Sequence, residues 1–175
     1  MNSMALRPVN SLTAWCKPIE QAPDNKGIAE EAYCNAIKFD DADGFVESLK
    51  TKNYSNDCRV DYFERTGNDL IMIEMKNMEL KIQHLSDNGT SKKDIEKKVL
   101  SNLENKFTDS LKIIQNEINP SLIPMINYLV VANNTDVIML DKYLPKNLRE
   151  KPFVICKTKE ICNKLSILGT RRLCP

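Results

Sequence analysis

The segment Cys58-Arg59-Val60-Asp61-Tyr62-Phe63-Glu64-Arg65-Thr66-Gly67-Asn68-Asp69-Leu70-Ile71-Met72-Ile73-Glu74-Met75-Lys76 reads as two strand-like runs about a tight bend. The runs are Cys58 to Arg65 and Asp69 to Lys76, joined at Thr66-Gly67-Asn68. A glycine-containing pair is what two-residue hairpin loops require. The second run carries Leu70-Ile71-Met72-Ile73, apolar on both faces of the pleat. A strand buried on both sides belongs inside a sheet covered by helices, not on an open sheet face. With Gly67 and Asn68 as the loop, Thr66 faces Asp69, and counting outward Asp61 faces Glu74 on one side of the sheet. Lys76, two residues further on, points to that same face.

Upstream, a helical period starts at Lys26 and places Ile28, Ala29, Ala32, Tyr33, Ala36 and Ile37 on one side, with Asp24 or Asn25 as its cap. A second, short helix is expected from Asp41 to Lys50 around Phe45, Val46 and Leu49, although Gly44 weakens it. Residues 1–25, with Pro8, Pro18 and Pro23, read as an extension, and 26–175 as the domain. Downstream of a polar connection at Ser86 to Thr90, Ser91 and Asp94 open the longest helix, about Lys92 to Asn119. Its stripe of Ile95, Val99, Leu103, Phe107, Leu111, Ile114 and Ile118 must lie against a sheet or another helix. Pro120 and Pro124 end it, and strands follow at Met125 to Ala132 and Val137 to Leu140. A strand at Phe153 to Cys156 then precedes a helix at Lys159 to Leu168. This order predicts an α/β fold, a central mixed β-sheet flanked by helices.

Composition narrows the function classes. The 175 residues are 42% apolar and 28% charged, enough to bury a core. No run approaches the roughly 18 apolar residues of a membrane helix, so no membrane partner is expected. Met1 to Trp15 lacks a secretory apolar core, so a cytoplasmic location is expected. Lys and Arg number 25 against 24 acids, and a net charge of +1 excludes a highly basic nucleic-acid coat while allowing a local basic groove. The six cysteines, Cys16, Cys34, Cys58, Cys156, Cys162 and Cys174, form no CxxC pair and read as reduced thiols. His84 is the single histidine, which leaves carboxylates and lysine as the tools of any catalysis.

Asp61, Glu74 and Lys76 supply those tools. Carboxylates about 5 Å apart repel by roughly 1 kcal/mol in water and about 3 at a semi-buried effective dielectric. Lysine offsets part of this and a divalent cation more. Mg²⁺ or Mn²⁺ takes one or two carboxylates together with waters and phosphate oxygens, and can present a phosphodiester to an in-line water. Lys76 is placed to orient or deprotonate that water. An acid–lysine pair across a hairpin can also be a surface salt bridge worth under about 1 kcal/mol. The apolar strand favours a site, because ionised groups are costly beside it.

Asp61, twelve intervening residues and Glu74-Met75-Lys76 after an apolar strand resemble the PD-(D/E)XK nuclease superfamily. That group includes type II restriction enzymes, Holliday-junction resolvases and RecB-type exonucleases. The resemblance implies a restriction-endonuclease-like fold and a metal-dependent nuclease acting on DNA or RNA. It makes Asp61 and Glu74 ligands of Mg²⁺ or Mn²⁺, the Met75 carbonyl a third ligand and Lys76 the catalytic lysine. Val60 stands where the superfamily motif has proline. The segment Asp61 to Asn68 also looks like the cap-snatching endonuclease domains of segmented negative-strand RNA virus polymerases. Those often place a histidine ahead of the acids, whereas His84 follows them here.

Superfamily members often add an acid from the helix preceding the sheet, and Glu30 is preferred here over Glu31 and Asp41. Arg59, opposite Lys76 in the inferred register, and Lys97 and Lys98 on the long helix are candidate contacts to nucleic acid. A homodimer would suit an enzyme that cuts both strands. The rival reading is a non-catalytic module that binds nucleic acid or protein on a degenerate nuclease scaffold.

Overall fold

The structure is a computed structural model and describes residues 12–21, 29–49, 53–144 and 153–175. Its strands are β1 (Cys16–Glu20), β2 (Glu31–Lys38), β3 (Tyr62–Thr66), β4 (Asp69–Lys76), β5 (Ile123–Val131) and β6 (Phe153–Lys157). The helices are α1 (Met78–Asp87), α2 (Lys92–Glu117), the short α3 (Val137–Leu140) and α4 (Thr158–Ser166). The strands form one mixed sheet in the order β1-β2-β3-β4-β5-β6, antiparallel from β1 to β4 and parallel from β4 to β6. The chain is thus α/β, with a mixed sheet flanked by helices.

The β3–β4 hairpin has the register that a two-residue loop dictates, from Thr66↔Asp69 to Tyr62↔Ile73. Gly67 turns at φ +59°, the conformation its missing side chain permits at the first loop position. Strand β4 is buried on both faces, as its composition requires. Leu70 and Met72 pack with Phe63, Leu129 and Val131 beneath Ile95, Val99, Leu103 and Phe107 of α2. On the other side Ile71, Ile73 and Met75 pack with Tyr128, Val130 and Ile161 and Leu165 of α4. Each such aliphatic or aromatic side chain contributes about 1.5–3 kcal/mol of burial. Helix α2 is 26 residues long, and the Ser91 hydroxyl accepts from the Asp94 N–H at its start, 3.2 Å away. A helix of that length spans roughly 39 Å, enough to cross the sheet from end to end.

Several expectations need correction. The helix expected from Lys26 is strand β2 where it is described. Between Pro18↔Asn35 and Glu20↔Glu31 the ladder is irregular, with Tyr33 at φ +59°. That bulge resets the alternation, so Ala32 and Ala36 face one core at a spacing that imitates a helix. Residues 24–28, including Ile28, lie outside the described residues. Part of the presumed extension, Cys16–Glu20, is the edge strand β1, where Pro18 fits because an edge residue can dispense with a ladder N–H. The helix expected at Asp41 to Lys50 contracts to one 3₁₀ turn, Val46–Leu49. Gly44 packs so closely on the Asp40 carbonyl that a Cβ would stand 2.0 Å from it. Val137–Leu140 is a helical turn, not a strand, because the Asp136 carboxylate caps the Ile138 and Met139 N–H groups. Helix α1, capped by Asn77, fills residues 78–85, to which the sequence reading assigns no element, and overlaps the expected connection only at Ser86 and Asp87.

The thiol reading also changes. Cys16 is bonded to Cys174 and Cys34 to Cys162, each pair with Cα atoms 5.7 Å apart. Cys58 and Cys156 are free. Both bonds tie the β1–β2 hairpin to the C-terminal part of the chain. That hairpin pairs with β3 only at Ile37↔Phe63 and Lys38↔Tyr62. Its far end lies over the second core, where the Gln21 side-chain amide donates to the Val130 carbonyl at 2.7 Å. No helix among the described residues is long and apolar enough to cross a membrane.

Candidate active site

Asp61 immediately precedes β3 and Glu74 lies near the end of β4. The regular ladder stops at Tyr62↔Ile73. One step further the Asp61 side chain replaces the ladder, its Oδ2 accepting from the Met75 N–H at 2.7 Å. The Phe39 N–H donates to the Asp61 carbonyl at 2.8 Å, so β2 fixes the same residue from the other side. Glu74, on the face of Leu70 and Met72, has no solvent exposure. It sits beside Asp61, whose Oδ2 accepts from the N–H of the next residue, Met75.

The principal counter-charge on this pair is Lys106 of α2. Its Nζ stands 2.7 Å from Oε1 of Glu74 and 2.8 Å from Oε2. Lys76 Nζ is 3.9 Å from Oε1, nearer the rim. Burial, then the neighbouring Asp61, push the Glu74 carboxyl up to about 8, against the pull of Lys106. Burial likewise raises Asp61 in spite of Lys106 and the Met75 N–H. Burial works against the charge on Lys106, but Glu74 and Asp61 outweigh it and hold the ammonium above its ordinary value. Both carboxyls are thus held above their ordinary values, chiefly by burial, and Lys106 is the main positive charge opposing that rise. Lys81 of α1 completes the surroundings, its ammonium depressed by burial and by Lys76 and Lys106.

The structure brings together Asp61, Glu74 and Lys76 and places the Met75 backbone beside them. It does not bring in Glu30, whose Oε2 accepts from the Asn133 N–H at 2.9 Å, past the end of β5. Glu30 precedes a strand instead of riding on a helix, and this removes the geometry that favoured it. Glu31 is exposed on β2, and Asp41 pairs with Lys38 at 3.3 Å. The acid that does act on Asp61 is Asp40, which raises its pKa. Arg59 does not oppose Lys76, because β3 begins after it; its Nε pairs with Asp40 at 2.9 Å. Lys97 and Lys98 are exposed along an open groove of about 730 Å³ with Ser91, Asp94 and Asn102. They lie eight and nine residues from Lys106, roughly 12–14 Å along the helix.

Lys106 had a signal in the sequence. It falls three residues after Leu103 and four before Ser110, both buried, so helical spacing turns it toward the sheet. Glu64, inside the motif segment, has a different task. Its carboxylate accepts from the N–H groups of Arg65, Leu173 and Cys174 at 3.1, 2.6 and 3.0 Å and pins the C-terminal segment.

Among the described residues no three His, Cys, Asp or Glu side chains cluster as a metal-binding group. The donor set is two adjoining carboxylates, Glu74 buried and Asp61 half-buried. That fits Mg²⁺ or Mn²⁺, which is often held by one or two carboxylates with water completing the shell. Comparison with family models, curated proteins and solved structures finds nothing that matches this chain.

Proposed function

We propose that the protein is a metal-dependent nuclease of PD-(D/E)XK type, with a restriction-endonuclease-like fold, hydrolysing phosphodiester bonds in DNA or RNA. The observation that carries this is the meeting of Asp61 and Glu74 at the open end of the β3–β4 hairpin, with Lys76 at its rim. A wholly buried glutamate beside a half-buried aspartate is costly to maintain, and such perturbed acids concentrate at functional sites. Asp61, Glu74 and the Met75 carbonyl would hold Mg²⁺ or Mn²⁺. The bound ion would supply Lewis-acid stabilisation of the charge developing on the phosphoryl oxygens. Lys76 is positioned to orient the attacking water and accept its proton or to steady the charge beside it. Lys97 and Lys98 extend the basic surface along α2 for salt-dependent contact with phosphates. A homodimer remains part of this reading for cutting both strands.

The two cystines count against the expected cytoplasmic location, since such bonds persist mainly in oxidising surroundings. The reading is tested by incubating labelled single- and double-stranded DNA and RNA with the protein in Mn²⁺, Mg²⁺ or EDTA. Cleavage should need metal and fall by at least about 100-fold in Asp61→Ala and Lys76→Ala. Activity equal to wild type in both variants refutes the assignment. A non-catalytic binding module is favoured by one observation, the close approach of Lys106 to both Glu74 oxygens, hydrogen-bonded to Oε2. Its signature is retention of nucleic acid without metal-dependent cleavage.

A further inference from the structure

Glu74 is wholly buried, yet both of its oxygens face one ammonium that arrives from a different element. Lys106 crosses from α2 to the sheet and keeps only 17% of its side chain exposed. Its Nζ lies at nearly equal distances from the two oxygens, 2.7 and 2.8 Å, astride the carboxylate. Lys106 is also the foremost positive charge acting on Asp61, one of whose oxygens is already engaged by the Met75 N–H. Lys76 is not equivalent: it stands 3.9 Å from one oxygen and is 27% exposed. We propose that Lys106 is a built-in counter-cation occupying the divalent-ion position, so that metal binding and the Lys106–Glu74 pair exclude one another.

The physical reason is charge and space. A primary ammonium and a divalent ion repel strongly inside a poorly solvated site, and both need the same carboxylate lone pairs. Without an ion, buried Glu74 beside Asp61 needs a counter-charge, and Lys106 provides one on a flexible four-carbon stem. With an ion bound, that stem lets the ammonium withdraw toward the rim beside Lys76 and Lys81. Three ammoniums then surround the acids, a complement for a phosphodiester anion. This inference rests on the reading of Asp61 and Glu74 as metal ligands. Its consequence is a weak, displacement-limited affinity for metal in the free protein, independent of any catalytic step.

The test measures Mn²⁺ affinity by titration calorimetry and thermal shift for wild type, Lys106→Met, Lys106→Gln and Glu74→Gln. Both Lys106 variants should bind Mn²⁺ at least tenfold more tightly than wild type and melt lower without metal, while Glu74→Gln should lose binding. If wild type binds Mn²⁺ through Glu74 and the Lys106 variants bind equally or more weakly, the competition is overturned and the nuclease reading stands. Binding only in the Lys106 variants supports the competition and refutes metal dependence in the native chain. No binding in any form overturns both. Should the variants fail to fold, lysine acetylation of wild type read by peptide mass spectrometry keeps the question open to refutation. Lys106 should label slowly without metal and several-fold faster at saturating Mn²⁺. An unchanged rate at demonstrated saturation overturns the inference.

Discussion

Replacing Cys16 and Cys174 together with serine tests the tertiary arrangement most directly. The two cystines close chain separations of 158 and 128 residues. Taken singly, the chain-entropy relation assigns loops of that size about 5 kcal/mol each at 25 °C. They are nested, however, and each shortens the other. With Cys34–Cys162 closed, the shortest path from Cys16 to Cys174 runs through 18 residues at one end and 12 at the other. A loop of about 30 residues is worth roughly 3.6 kcal/mol, so either bond alone should cost that much to remove and both together about 9. Engineered and native bonds often deliver less, typically about 2–4 kcal/mol. The ordering is nevertheless fixed, with the double loss exceeding the sum of the single losses. Urea unfolding is the assay. At a slope of about 2 kcal/mol per molar, each single loss moves the midpoint down by roughly 1–2 M. Thiol titration of the unfolded, unreduced chain should count two free cysteines, Cys58 and Cys156. Six titratable thiols, or a Cys16→Ser/Cys174→Ser midpoint within about 0.2 M of wild type, would refute the reasoning.

Two further outcomes follow from buried acids. Glu74 has a folded pKa of about 8, above the ordinary carboxyl range, so the folded state binds its proton more tightly than the unfolded chain does. The corresponding stability is fully present below about pH 4.3 and is lost as pH rises toward 8. Urea midpoints of wild type should therefore fall from pH 5 to pH 8 more steeply than those of Glu74→Gln, and parallel profiles would show that Glu74 does not carry the dependence. Glu64→Ala strands three N–H groups that its buried carboxylate now accepts from, a loss of about 2–4 kcal/mol. The same variant should expose Leu173 and Cys174 to carboxypeptidase once the Cys16–Cys174 bond is reduced. Digestion no faster than wild type would mean that Glu64 is not the anchor.

The hairpin could be read from its own residues because a two-residue loop at Gly67-Asn68 leaves the opposing pairs no freedom. The meeting of Asp61 with Glu74 is one step of that register, and the legible part of the site ends there. Lys106 lies 32 residues beyond Glu74, and only the seating of α2 across the sheet decides that its ammonium reaches the acids. Glu30 shows the converse: its expected place depended on a helix that packing turned into β2.

Local rules sufficed wherever neighbours in the chain are neighbours in space. Ser91 and the apolar stripe from Ile95 to Phe107 establish α2, and Leu70 to Ile73 establish a strand covered on both sides. Contacts between distant residues were settled otherwise. The bulge at Tyr33 and the cystines joining Cys16 to Cys174 and Cys34 to Cys162 leave no periodicity behind, and helical spacing turns Lys106 toward the sheet without naming Glu74 as its partner. Their free energy comes from closing long loops and satisfying buried charge, and neither term exists until the sheet and its helices have come together.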